Sequence, residues 1–158
     1  MTAPHTHPLR LCVRRTPVPG ELRAVQRIAL RVPSEVDCIE EAVAVLTRHC
    51  LSGAEASSRV QFRLQVALSD ALANAIVRGN GQDTEKQVYV QVDLHPDAVS
   101  IHVTDEGDGF DHASVAEALD PGSLDLPSGR GLFLIRHMVD DVHFNTQGNS
   151  ICMTLRRR

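Results

Sequence analysis

The chain has no tryptophan, and four phenylalanines and one tyrosine are its only large aromatic side chains. That scarcity argues against a stacking platform for single-stranded nucleic acid. Positive charge is not in excess either. Sixteen lysines and arginines face twenty aspartates and glutamates, a formal charge of −4, so no electrostatic footprint for DNA is present. The one basic run, Arg156 to Arg158, reads as a solvated tail. No apolar stretch approaches the length of a membrane span. The opening residues, with Pro4, His5, His7 and Pro8, offer no apolar segment of a secretory signal. Cys12, Cys38, Cys50 and Cys152 form no CxxC pair and fall in segments that read as strand or helix. Buried free thiols and a reducing, cytoplasmic setting are therefore expected.

What is present suffices for one domain with a substantial core: 158 residues, 42% of them hydrophobic. Residues 1–26 read as a partly disordered extension in which Leu9, Leu11 and Val13 alternate as a short strand. The domain proper is expected over residues 27–158. Ile28, Leu30 and Val32 alternate as a strand with one buried face. Ser34 offers an N-cap to a helix carrying Val36, Ile39, Val43, Leu46 and Cys50. A second helix is expected from about residue 55 to 77, with Leu64, Leu68, Leu72 and Ile76 as its core stripe and Gly79-Asn80-Gly81 as its stop. Val88 to Leu94 and Val99 to Val103 alternate around His95-Pro96-Asp97 as a hairpin. A polar loop with a short helix is expected over 110–128, then a helix from Gly131, apolar nearly all round. A last hairpin follows, turning at Gln147-Gly148-Asn149. The pattern predicts a two-layer α/β sandwich, a mostly antiparallel mixed sheet with its helices on one face.

Three places are not explained by packing. In Ser69-Asp70-Ala71-Leu72-Ala73-Asn74-Ala75, Asp70 and Asn74 are four apart and share a helix face. Their surroundings are alanines, and a polar group left unpaired in such company costs a few kcal/mol. The ordinary alternative is an exposed helix face. In Thr104-Asp105-Glu106-Gly107-Asp108-Gly109, an acid at a strand end precedes glycines two apart, which let a backbone approach a ligand closely. Such an acid can accept a hydrogen bond from the amino group of adenine; a tight acidic turn or a calcium loop are the alternatives. In Ser128-Gly129-Arg130-Gly131-Leu132, glycines open a helix whose N–H groups and dipole suit phosphate. A hinge before a core helix is the alternative, and neither the Walker nor the Rossmann pattern is met.

In this order and spacing the three segments resemble the Bergerat-fold (GHKL) ATP-binding superfamily of gyrase, Hsp90 chaperones, histidine kinases and MutL. Within it the chain is most similar to the anti-sigma-factor serine/threonine kinases, over about residues 27–156. The resemblance implies that Asn74 helps hold Mg²⁺, that Asp105 binds the adenine amino group, and that Gly107 and Gly109 line the base. It further implies that Gly129, Arg130, Gly131 and Leu132 surround the phosphates of ATP or ADP beneath a short lid over 111–128. Asp70 stands where the family usually has a glutamate general base, one methylene shorter. The implied partners are a sigma factor and a STAS-type anti-sigma-factor antagonist, with a homodimer as the implied assembly and no direct role for nucleic acid or membrane. The competing expectation is a switch that binds nucleotide and partner without transferring phosphate. A sensor histidine kinase is disfavoured, because His102 and His137 read as ordinary strand and helix residues.

Overall fold

Alternation at every second residue builds the sheet, and the computed structural model describes residues 9–16, 25–51, 58–109 and 127–157 of the chain. The strands are β1 (Arg10–Thr16), β2 (Val25–Pro33), β3 (Gln87–Leu94), β4 (Ala98–Thr104), β5 (Asp141–Phe144) and β6 (Ser150–Arg156). They form one six-stranded sheet in the order β1-β2-β3-β4-β6-β5. All five pairings are antiparallel, so the sheet is less mixed than expected. Ile28, Leu30, Val32, Val88, Val90, Val92, Val99, Ile101, Val103, Met153 and Leu155 point to one face and are buried. Their neighbours in sequence point the other way, as a two-residue period requires.

The buried face meets helices α1 (Ile39–Leu51), α2 (Ser58–Ala73) and α3 (Pro127–Met138). Ala42, Val43, Leu46 and Cys50 of α1, Val60, Leu64, Leu68 and Leu72 of α2, and Ile135 of α3 join the sheet residues in one core cluster. Arg63 fastens α2 to the end of α3. Its Nε donates to the Met138 carbonyl at 2.7 Å, and its guanidinium lies 3.4 Å from Asp140, a cation where a helix C-terminus favours one.

Several expectations are corrected. Ser34 caps no helix. A 3₁₀ turn at Val36–Cys38 precedes α1, its capping residue is Glu35, and Ser34 is buried and bonded elsewhere. The second helix keeps α geometry only to Ala73 and continues as a π turn, Asn74–Gly79. Helix α3 starts at Pro127, not Gly131, so its glycines lie within it. Nor is α3 apolar all round in its contacts, since Leu134 is 42% exposed. The short strand expected in the extension is present as β1, paired with β2 along its whole length. Cys12 is exposed on it, unlike the buried Cys38 and Cys50. Arg156 and Arg157 are not a loose tail: their N–H groups donate to Asp140 Oδ2 and the Asp97 carbonyl. The expected short helix and most of the expected lid fall on 110–126, outside the described residues.

Leu64 is fully buried where α2 meets the sheet. Leu64→Ala should cost about 2–5 kcal/mol by loss of transfer free energy plus a cavity. Urea titration checks this, and an unchanged midpoint would place Leu64 outside the core.

Candidate nucleotide site

The site is built where α2 changes pitch. From Asn74 to Gly79 the backbone closes as a π turn, and the Asn80 N–H donates to the Ala75 carbonyl at 2.8 Å, five residues back. Five residues in an α-helix overshoot a full turn by more than a third of a circle. Closed i to i+5, they stand one above the other. Asn74 and Gly79 thus share a face, with Asp70 one α turn earlier on the same side. At the α-helical rise, Asp70 to Asn74 is about 6 Å along the axis.

Asp105 follows β4 directly and meets the far end of this line. Its N–H donates to the Asn149 carbonyl at 2.9 Å, while its carboxylate accepts the Gly107 N–H at 2.8 Å. A Cβ added to Gly79 would fall inside that carboxylate, and one on Gly107 would fall inside the Gly79 carbonyl. The helix end and the loop interlock because both residues lack a side chain. Gly109, at φ 85°, lies as closely against the Gln147 carbonyl of the β5–β6 turn.

Asn80 holds the assembly together and was read in the sequence only as part of a helix stop. It is 3% exposed, and its Nδ2 donates to Ser34 Oγ at 2.6 Å and to the Gln87 carbonyl at 3.0 Å. Its Oδ1 accepts the Glu106 N–H at 2.7 Å. One amide therefore joins the end of β2, the start of β3 and the loop carrying Asp105. The available signal was an asparagine between two glycines, which is equally a turn signature.

Burial raises the Asp70 carboxyl above its ordinary range, and Asp70 Oδ2 is shielded with no hydrogen-bond partner among the described residues. Burial also raises Asp105, partly offset by the Gly107 N–H and Lys86. An orphaned carboxylate oxygen one turn from an amide, and a half-buried acceptor in a cradle that any Cβ would fill, fit a ligand carrying a cation and an amine. In α3 the N–H groups free of intrahelical partners belong to the first four positions, Pro127 having none, so Gly129 and Arg130 offer donors. Gly131 and Leu132 lie one step further in, and the Leu132 side chain packs half-buried against the core.

A family model described as a histidine kinase-like ATPase domain matches residues 19–155. The chain belongs to this family. The serine-protein kinase RsbW of Oceanobacillus iheyensis is 29% identical over 132 residues, covering 76% of this chain and 79% of that protein. The protein of the same name from Bacillus subtilis is 29% identical over 140 residues, 80% of this chain and 83% of its own length. An anti-sigma F factor of Heyndrickxia coagulans is 33% identical over 91 residues, covering 54% of this chain and 60% of that one. The ATPase-domain family is thus the family whose fold the open sheet and its three helices display.

Two outcomes check this geometry. Gly79→Ala drives a methyl group into the Asp105 carboxylate and should cost about 1–3 kcal/mol by overpacking; a melting temperature equal to wild type would contradict the interlock. A carboxyl raised in the fold binds protons more tightly than in the unfolded chain, so stability falls as pH rises through that window. Asp70→Asn should accordingly melt a few degrees higher than wild type at pH 7, with the difference shrinking as pH falls through the raised Asp70 value.

Proposed function

We propose that the protein binds ATP with Mg²⁺ along the Asp105–Asn74–Asp70 line and transfers the γ-phosphoryl group to a serine or threonine of a protein antagonist, while its partner-binding role is that of an anti-sigma factor. The observation that carries the transfer step is the orphaned Asp70 Oδ2, one helical turn from Asn74. Support comes from the family and from relatives named serine-protein kinase and anti-sigma F factor. The partners are then a sigma factor and a STAS-type antagonist, the assembly a homodimer, and the setting the cytoplasm. Residues 27–158 form the catalytic domain, extended by β1.

Each residue's part follows from its place. Asp105 accepts a hydrogen bond from the adenine amino group, held in position by Gly107 and by Asn80 behind it. Asn74, further back along the same helix face, would offer its amide oxygen to Mg²⁺, and the N–H groups of Gly129 and Arg130 offer donors to phosphate. When bound, Mg²⁺ neutralises charge on the phosphate oxygens. Asp70 accepts the proton of the attacking hydroxyl, for which a raised carboxyl suits a base better than an ordinary one. Its shorter arm retracts that oxygen by roughly one C–C bond, about 1.5 Å, relative to a glutamate. A retraction of this size can slow transfer around a hundredfold. That retraction specifically favours the second reading, a nucleotide-dependent switch that sequesters its partner without transfer.

Incubation with γ-labelled ATP and candidate antagonists, read out as phosphoserine or phosphothreonine, tests the proposal. Asp70→Ala should abolish labelling with ADP affinity nearly intact, and Asp70→Glu should match or exceed wild type. The acid limb of the rate profile should lie above the ordinary carboxylate range, since Asp70 must be ionised to act. If wild type and Asp70→Glu both leave a bound antagonist unlabelled, transfer is absent and the switch reading replaces it.

A further inference from the structure

The face of the sheet turned away from the helices carries a concentration of arginine that an acidic chain does not otherwise explain. Arg27 and Arg31 flank the outward-facing Ala29, and Arg10 and Arg14 of β1 stand directly opposite Arg31 and Arg27 in the register. Two like-charged pairs are therefore placed cross-strand, an arrangement that costs stability in both cases. Arg27 alone has a carboxylate partner among the described residues. It forks onto Asp93 at 2.7 and 3.1 Å from the next strand. Burial would raise Asp93, but the Arg27 fork and the Gln91 amide outweigh it and hold the carboxyl low, so Asp93 is already committed. Among the described residues, Arg10 and Arg31 have no such neutralising acid beside them.

Between these two arginines the twisted sheet forms a hollow of about 590 Å³, whose floor and walls include Tyr89, Gln91, His102 and Thr104. The Arg31 guanidinium lies over the Tyr89 ring, 5.4 Å from its centroid. The hollow thus offers two exposed guanidinium forks, an aromatic face and hydrogen-bonding side chains. Guanidinium forks match carboxylates in geometry as well as charge.

We propose that this outer face, at Arg10 and Arg31 with Tyr89 between β2 and β4, is a docking site for an acidic segment of a partner protein, its Asp or Glu carboxylates received by the two arginines. The placement is independent of the nucleotide site, which lies on the helical side. A second copy of this chain fits poorly as occupant. It would bring the same arginine rows, and Asp93, the acid that lies against them, is already taken by Arg27. The repulsive pairs are the cost of keeping two guanidinium groups free for a carboxylate partner.

The test uses the full chain, with fluorescein-labelled hexaglutamate as probe and inorganic phosphate and hexalysine as comparison arms. Hexaglutamate should bind in a salt-sensitive manner, and Arg31→Glu or Arg10→Glu should weaken it at least tenfold with ADP affinity unchanged. Arg10→Glu should at the same time raise the melting temperature of the free protein, because it turns a repulsive cross-strand pair into an attractive one. A merely structural arginine would move stability the other way. Absence of hexaglutamate binding overturns the proposal. Equal binding of phosphate at the same arginines makes this a small-anion site and overturns it too. A change in oligomeric state in the arginine variants, without loss of peptide binding, assigns the face to self-association and overturns it as well.

Discussion

One buried amide carries more of this site's geometry than any group expected to touch a ligand. Asn80 spends both donors and its acceptor on Ser34, Gln87 and Glu106, three partners in three separate parts of the chain. In a dry interior an unmet amide is expensive, so the three bonds form together or the region does not close. Given that closure, Gly79 and Gly107 can approach to the limit of bare backbone, and Asp105 has only one place to lie. The π turn is part of the same constraint. It brings the end of α2 round to the loop without turning Asn74 away from it.

The site sits on this rigid frame with groups that the frame itself does not need. Asp70 is half-buried with an oxygen that no described residue satisfies, and Asp105 is held above its ordinary range by burial. Neither is placed as a stabilising residue would be. Each is a small standing cost, one on the face of α2 and the other on the loop that closes against the end of that helix. The outer face of the sheet shows the same economy in a different currency of charge, with arginines set against arginines.

Much of the fold was legible because it depends on period alone. Val88 to Leu94, Val99 to Val103 and Ile151 to Leu155 alternate and became strands with the buried face in phase. The three segments around Asp70, Asp105 and Gly129 were visible because a carboxylate among alanines or paired glycines has few packing explanations. What stayed hidden is what depends on contacts distant in sequence. Ser34 looks like a cap because capping is local, yet its partner is 46 residues away. A π turn leaves no mark in a 3.6-residue period, and the start of α3 at Pro127 was masked by glycines that usually end or precede helices. The cross-strand arginines were invisible for the same reason, since β1 and β2 face each other only through a register that sequence does not state.

The bonds that close the site join residues 46, 26 and 44 positions apart. Contacts of that span are entropically late, because each must wait for long loops to be drawn in. A nucleotide that recognises only the closed arrangement acts as a brace on the whole chain, its stabilisation growing with the logarithm of its concentration above the dissociation constant. The persistence of the folded protein then follows the nucleotide supply around it.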